Sequence, residues 1–241
     1  MIVHASRRRT LASERGIALV AVMSASSLLL ALGLSLALTT TIEVGIAANQ
    51  RDAVQTLHAA DAALERAIAD LALADWDAVL AGVATSPFHD GGGVVTLPDG
   101  SRLDVRQETN RLRCGAAACG DADMDRVTAA RPWGRNNPRW TVFASGPLAE
   151  LLPDAAIAAR SYLVIWVADD PAENDAQPLR DGGPPALEDA ANQANPGRGA
   201  LWLHARAYGP SGARRAIEAV VERDPRWPST QLRLRVWREI T

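Results

Sequence analysis

The segment IALVAVMSASSLLLALGLSLAL, residues 17–38, contains no charged side chain. A helix rises 1.5 Å per residue, so this segment would reach about 33 Å, slightly more than the roughly 30 Å hydrocarbon core of a bilayer. A charge-free run of this length favours a membrane over the interior of a small domain. The sequence therefore predicts one transmembrane helix over residues 17–38.

The residues before this span predict its orientation and its processing. Arg7, Arg8 and Arg9 form a basic leader that ends at Glu14-Arg15-Gly16, and cationic leaders stay on the cytoplasmic side. A secretory signal would place a small-residue cleavage site after the apolar run, but Thr39-Thr40-Thr41-Ile42-Glu43 offers none. Residues 1–16 are therefore interpreted as a leader, and secretory cleavage is not expected.

A helical pattern continues beyond the span. Apolar residues recur at spacings of three, four or seven, the period of an amphipathic helix, at Ile42, Ile46, Val54, Leu57, Leu64, Ile68 and Leu71. A signal anchor followed by a linker is the alternative, but linkers are rich in Gly, Ser or Pro. We expect one helix from Ile17 to about Leu80, with residues 39–81 as its amphipathic half.

The remaining residues, 82–241, predict a single β-rich head. Pro98-Asp99-Gly100-Ser101 separates two short apolar runs and indicates a hairpin. In the last run Leu232, Leu234 and Val236 alternate with polar residues, which predicts one face on a core. The expected fold is α+β, a long helix packed on a small antiparallel sheet. Its predicted strands are 94–97, 103–106, 140–144, 162–168, 200–208, 214–222 and 232–238.

The region from Glu14 to Ala67 resembles the N-terminal region of the PilX-type minor pilins of type IV pili. The matching features are the glycine before the apolar run, the threonines 39–41, Asn49 with Arg51, and the Ala-Ala-Asp-Ala-Ala-Leu run at 59–64. The resemblance implies a pilin-like fold and a non-enzymatic structural protein that initiates pilus assembly or lies at the tip.

The same resemblance implies how the chain is processed and located. A prepilin peptidase would cut between Gly16 and Ile17 and methylate Ile17. The chain would then be a single-pass inner-membrane protein, with its head in the periplasm, until it enters the pilus. Expected partners are other minor pilins, the major pilin and the inner-membrane assembly platform. Major pilins carry a glutamate five residues after the cut; Ala21 stands there in this chain, which argues against a shaft subunit.

Two other interpretations stay open. One is a tip pseudopilin of type II secretion, of the GspK type, although such proteins usually have larger heads. The other is a signal-anchored periplasmic enzyme or binding protein, although no nucleophile motif or phosphate-binding glycine loop supports catalysis. With a formal net charge of −3, the chain is not expected to bind nucleic acid.

Cys114 and Cys119 are the only cysteines, and outside the cytoplasm a disulfide is favoured over a zinc site. Asp121, Asp123 and Asp125 alternate like the first ligands of a calcium loop. A solvated acidic turn is the competing interpretation. No cofactor besides this candidate calcium ion is expected. Asn136 and Asn137 are nearby candidate ligands.

Two further segments bear on function. Trp133 and Trp140 could anchor their loop to the head or lie in a subunit interface. The irregular stretch 169–199 is rich in carboxylates, and a loop of this length in a compact domain is either functional or mobile. Its acidic residues are Asp169, Asp170, Glu173, Asp175, Asp181, Glu188 and Asp189.

Overall fold

A computed structural model describes residues 12–151, 160–173, 175–182, 199–223 and 231–240, with the side chains of residues 12–15 left out. The predicted basic leader residues Arg7 to Arg9 lie outside this part of the chain, as do Glu188 and Asp189. By their internal contacts the residues form two compact units, Met1–Ala48 and Asn49–Thr241. Each unit is described by itself.

The first unit consists of the beginning of helix α1, which runs over Ala12–Leu71. Every side chain from Gly16 to Ala48 is exposed. The large apolar residues between Ile17 and Leu38 each expose more than half of their surface. The apolar residues of this unit, of the kind that usually form a protein core, are therefore exposed.

The second unit is built on an antiparallel sheet of five strands, in which each strand pairs with the next one along the chain. A separate two-stranded hairpin comes before them and closes at Leu97 and Ser101. The predicted α+β class and antiparallel sheet are confirmed. The strands are β1 Val94–Thr96, β2 Arg102–Asp104, β3 Thr141–Pro147, β4 Tyr162–Asp169, β5 Ala200–Tyr208, β6 Arg214–Arg223 and β7 Leu232–Ile240.

One face of the sheet packs against the C-terminal part of α1. The helix contributes a stripe of small side chains that lets its backbone lie near the strands, and Leu64 and Leu71 fill the space beside them. Leu163, Ile165 and Val167 of β4 belong to the same buried cluster. The buried helix residues are Ala59, Ala60, Ala63, Leu64, Ala67 and Leu71.

The other face of the sheet is covered by the hairpin and by helix α3, Val105–Cys114. Trp166 of β4 points to this side, and its indole Nε1 donates to Thr109 Oγ1 at 2.8 Å. Strand β4 is consequently buried on both faces along its whole length. This explains its continuous apolar sequence, which does not alternate.

The prediction of one helix reaching Leu80 was wrong about its end. Helix α1 stops at Leu71, and a short helix α2 follows over Trp76–Leu80. Trp76 turns into the core, and its Nε1 donates to the Leu71 carbonyl at 2.9 Å, which satisfies a terminal carbonyl of α1. Asp75 caps α2 by accepting from the Asp77 amide.

The predicted strand 103–106 is also corrected. The strand ends at Asp104, whose carboxylate accepts the Gln107 amide at 3.1 Å and begins α3. Gly115 ends this helix in the left-handed conformation, at φ 80°. Aspartate at the first cap and glycine just after the last turn are ordinary helix signals, and both were readable in the sequence.

Strand β7 forms, but its predicted alternation fails. Val236 pairs with Val220, and Leu234 pairs with Val221, so Arg235 is an extra residue in a bulge. Residues opposite each other in antiparallel strands share a face, and Val220 and Val221 face opposite sides. Leu234 and Val236 therefore also face opposite sides and do not join one core face. They expose 41% and 45% of their surface.

Candidate functional site

The predicted processing and anchoring residues lie on helix α1. Gly16 and Ile17 are both exposed, and Ile17 exposes 68% of its surface. By length and composition α1 could cross a membrane: its most apolar stretch has a mean hydropathy of 2.3, and none of that stretch is buried. Among the residues that the structure describes, one helix, near the N-terminus, is therefore long and apolar enough to span a bilayer.

The hydroxyl groups at the end of the apolar run are satisfied within the helix. Thr39, Thr40 and Thr41 each donate to the carbonyl four residues earlier, at 2.9 to 3.0 Å. Ser27 does the same to Met23 at 2.9 Å. A hydroxyl that already donates costs less to place in an apolar environment. These residues are therefore compatible with a lipid-facing helix.

The predicted disulfide is present. Cys114 is the last residue of α3, and its sulfur is bonded to that of Cys119, with the two Cα atoms 6.2 Å apart. With both cysteines bonded to each other, neither thiolate is left for a zinc ion. The bond fixes the turn that leads from α3 into the acidic segment.

The structure does not bring Asp121, Asp123 and Asp125 together. They lie at alternate positions of the one-turn helix α4, Asp121–Asp125, so the Asp123 side chain projects to the side opposite Asp121, and Asp125 lies one turn along the helix from Asp121. The Asp123 carboxylate accepts the Gly120 amide at 3.1 Å, and Asp125 forms an ion pair with Arg139. The alternating aspartates that predicted a calcium loop therefore belong to a short helix. Calcium binding at these residues stays a prediction without geometric support.

The neighbouring asparagines and tryptophans have mainly structural contacts. Asn137 is fully buried: its amide donates to the carbonyls of Met124 and Arg126, and its oxygen accepts the Trp133 amide at 3.1 Å. The Asn137 side chain is thus held by three hydrogen bonds to its own segment. Trp140 is buried in the core, whereas Trp133 exposes 37% of its surface.

A different acidic cluster forms at the end of β4. Carboxylate oxygens of Asp169, Glu173 and Asp181 all lie within 4.8 Å of one another. Asp169 and Glu173 expose only 3% and 2% of their surface, and Asp175 beside them exposes 4%. Both oxygens of Glu173, Oδ1 of Asp169 and Oδ2 of Asp175 are buried and accept no hydrogen bond. We call Asp169, Glu173 and Asp181 the β4 carboxylate cluster.

The electrostatics of this cluster are unfavourable as long as its members are ionised. Two unit charges 4.8 Å apart repel by about 3 kcal/mol at an effective dielectric constant of 20. Burial, and after it the neighbouring carboxylates, raise the pKa of Glu173 to about 9. Burial has the largest effect on Asp169 as well, and raises its pKa to about 8. The cluster must therefore take up either protons or a cation at neutral pH.

The backbone holds the β4 carboxylate cluster at defined positions. Asn136 donates its side-chain amide to the Glu173 carbonyl. Asp181 accepts the Gly199 amide on Oδ1 at 2.6 Å and donates its own amide to Asp77 Oδ1 at 3.0 Å. The sequence had indicated an acidic stretch here. It did not show that residues at the end of a strand and along the following segment converge.

A serine, a histidine and an aspartate also meet, and the sequence reading missed them. Ser145 Oγ donates to Asp90 Oδ1 at 2.5 Å and lies 3.1 Å from His89 Nδ1. In a catalytic triad the carboxylate holds the histidine, which accepts the serine proton. Here the serine hydroxyl donates its hydrogen bond to Asp90 instead, and Ser145 is completely buried. The set, with Tyr162 donating to Asp90 at 2.7 Å, locks a loop onto β3 and β4.

His204 of β5 is buried among aromatic rings on the sheet face that α3 covers. Its ring lies 5.8 Å from Trp140 and 5.5 Å from Trp166, centroid to centroid. Arg206 Nη2 is 3.3 Å from Nε2, so Nε2 accepts and Nδ1 carries the proton, facing Glu218 at 3.6 Å. Burial lowers the pKa of His204, although Glu218 acts in the opposite direction. A neutral structural histidine fits these contacts.

Comparison with known proteins adds no relative. No family model, no curated protein and no solved structure matches this chain.

Proposed function

We propose that this protein is a minor pilin of the PilX type, which initiates assembly of a type IV pilus or lies at its tip. In this proposal the apolar part of α1 anchors the subunit in the inner membrane with the head in the periplasm. After cleavage between Gly16 and Ile17, the same helix segment leaves the lipid for a bundle of partner helices. The partners are other minor pilins and the major pilin.

The observation that carries the proposal is the exposure of α1. Its side chains from Gly16 to Ala48 are exposed although residues 17–38 carry no charge, whereas six of its residues between Ala59 and Leu71 belong to the core of the head. Exposed apolar surface on this scale requires a bilayer or other apolar helices. A pilin needs both environments in turn, and the motif at Gly16-Ile17 lies at the start of the exposed segment.

Small residues in the exposed segment also support packing among helices. Gly33 and Gly45 have nothing within 4 Å of the position where a Cβ would lie. Glycine on an apolar helix lets a neighbouring backbone approach closely. A signal-anchored enzyme would not need such surfaces, since its anchor would only have to remain in lipid.

The test is co-expression of the full chain with a prepilin peptidase, followed by intact-mass analysis. We expect loss of residues 1–16 and methylation of the Ile17 amine. The Gly16→Leu variant should remain uncut, because the peptidase must accommodate the residue before the scissile bond. Gly33→Leu is the matched control, and it should be cut normally.

Two results would contradict the proposal. One is a cut beyond Leu38, which would mark an ordinary secretory signal. The other is an unprocessed chain alongside a known prepilin that the same peptidase cuts in the same cells.

A further inference from the structure

We propose that the β4 carboxylate cluster, Asp169, Glu173 and Asp181, binds one calcium ion. This site differs from the one that the spacing of Asp121, Asp123 and Asp125 predicts. The inference is independent of the proposed pilin function, since it rests only on the head.

The geometry of the cluster fits a single ion. Calcium binds oxygen ligands at 2.3 to 2.6 Å, so two ligands on opposite sides of one ion lie up to about 5 Å apart. One oxygen from each of the three carboxylates lies within 4.8 Å of the other two, which is inside this limit. One central cation could therefore contact all three residues.

The buried, unpartnered oxygens are the independent evidence for a ligand. Glu173 is 2% exposed, and neither of its oxygens accepts a hydrogen bond. Asp169 Oδ1 is in the same situation. Buried polar groups in proteins almost always have a partner, and a carboxylate without one is strongly disfavoured. A cation at the centre of the cluster would be that partner.

The chemistry of the donors favours calcium over other metals. All three side chains offer hard carboxylate oxygens, whereas zinc sites in proteins are usually built with histidine nitrogen or cysteine sulfur. Magnesium keeps several waters and usually uses one or two carboxylates. Calcium takes six to eight oxygen ligands, and each of the three carboxylates can supply one or two of them. Asp175 Oδ2, also buried and unpartnered, is a candidate fourth ligand.

An ion at this position would fix the segment that follows β4. Asp169 is the last residue of the strand, Glu173 and Asp181 lie farther along, and the Asp181 amide donates to Asp77 of α2. Calcium would thereby tie the end of a central strand to residues beside α2. Since only the folded chain assembles the three ligands, the ion should stabilise the head.

The experiment uses the full chain in detergent, stripped with a chelator and titrated calorimetrically with calcium chloride at pH 7.5. We expect one calcium per chain, weaker binding of magnesium by at least tenfold, and a rise in Tm of about 5 to 10 °C when calcium reaches a hundred times its Kd. Glu173→Gln should weaken calcium binding at least tenfold. The double variant Asp121→Asn with Asp123→Asn, outside the cluster, should bind as the native chain does.

A second readout separates lost binding from lost folding. Glu173→Gln replaces a buried carboxyl that repels its neighbours whenever it is ionised. Its metal-free form should therefore melt at a temperature equal to or above that of the metal-free native chain, without a further rise in calcium. Asp169→Asn provides the same comparison if the first variant fails to fold. The proposal is overturned if the native chain does not bind millimolar calcium, if Glu173→Gln and Asp169→Asn both bind normally, or if the double variant loses binding.

Discussion

The packing of α1 against the sheet can be tested at one contact, between Gly209 and Thr56. Gly209 follows β5 and has φ −94° and ψ −178°, a conformation that any residue adopts, so backbone strain is not the reason for glycine here. The reason is proximity. A Cβ at this position would lie 2.1 Å from Thr56 Oγ1, and Thr56 is completely buried.

The substitution Gly209→Ala should therefore destabilise the head. Cβ contacts shorter than 3.0 Å essentially do not occur, so the helix and the turn would have to separate by about 1 Å. The Thr56 hydroxyl is held by the Asp52 carbonyl at 2.6 Å, which limits its escape. Overpacking of this kind costs about 1 to 3 kcal/mol of unfolding free energy. For a chain of this size the corresponding fall in Tm is roughly 2 to 12 °C.

A double-mutant cycle assigns the loss to this contact. Thr56→Ala removes the clashing oxygen, so the variant with both Thr56→Ala and Gly209→Ala should recover at least about 1 kcal/mol relative to the sum of the single changes. Thr56→Ser keeps the oxygen and should not rescue. The assay is urea unfolding of the detergent-solubilised chain followed by tryptophan fluorescence. A Gly209→Ala variant as stable as the native chain, or equal rescue by serine and alanine, would refute the helix position.

Two further predictions concern the head. Burial lowers the pKa of His204, so the folded state favours the neutral ring. The head should therefore keep its full stability above the unfolded pKa of about 6.5. Below that pH its unfolding free energy should fall by up to about 1.4 kcal/mol per pH unit. Unfolding measured from pH 7.5 to 5 should lose this slope in His204→Gln and keep it in the exposed control His58→Gln. Reduction of the Cys114–Cys119 bond should lower the unfolding free energy by about 2 kcal/mol. A thiol assay on protein purified without reductant should find no free cysteine, and two free thiols would contradict this pairing.

The elements with strong local signals were predictable from the sequence. Strand β5, Ala200–Tyr208, was predicted with its observed ends, because apolar alternation and a Gly-Pro-Ser-Gly turn mark it clearly. The apolar helix over residues 17–38 was equally predictable, because its length and its lack of charged residues are read directly from the sequence. Helix α3 was missed although Asp104 and Gly115 signal its two ends, since the apolar residues before it were interpreted as a longer strand.

Other features depend on contacts that no local pattern encodes. Helix α1 ends at Leu71, where the Trp76 indole donates to the Leu71 carbonyl, and the helix-forming residues around this position did not predict an end there. The bulge at Arg235 follows from pairing with β6 and reverses the faces of an apparently regular strand. The β4 carboxylate cluster depends in the same way on the folding of residues 169–182. Its acidic composition was visible, whereas its burial was not.

The bulge in β7 also affects how copies of the head can meet. This strand ends the described sheet, and its outer edge would otherwise offer a row of free backbone groups on which a second chain could add a strand. The extra residue interrupts that row, and Arg233 and Arg235, both ion-paired with Glu222, place charge beside the interruption. The head is thereby protected from edge-to-edge aggregation along this strand. Strand β7 is thus too irregular and too charged to pair readily with a strand from a second chain.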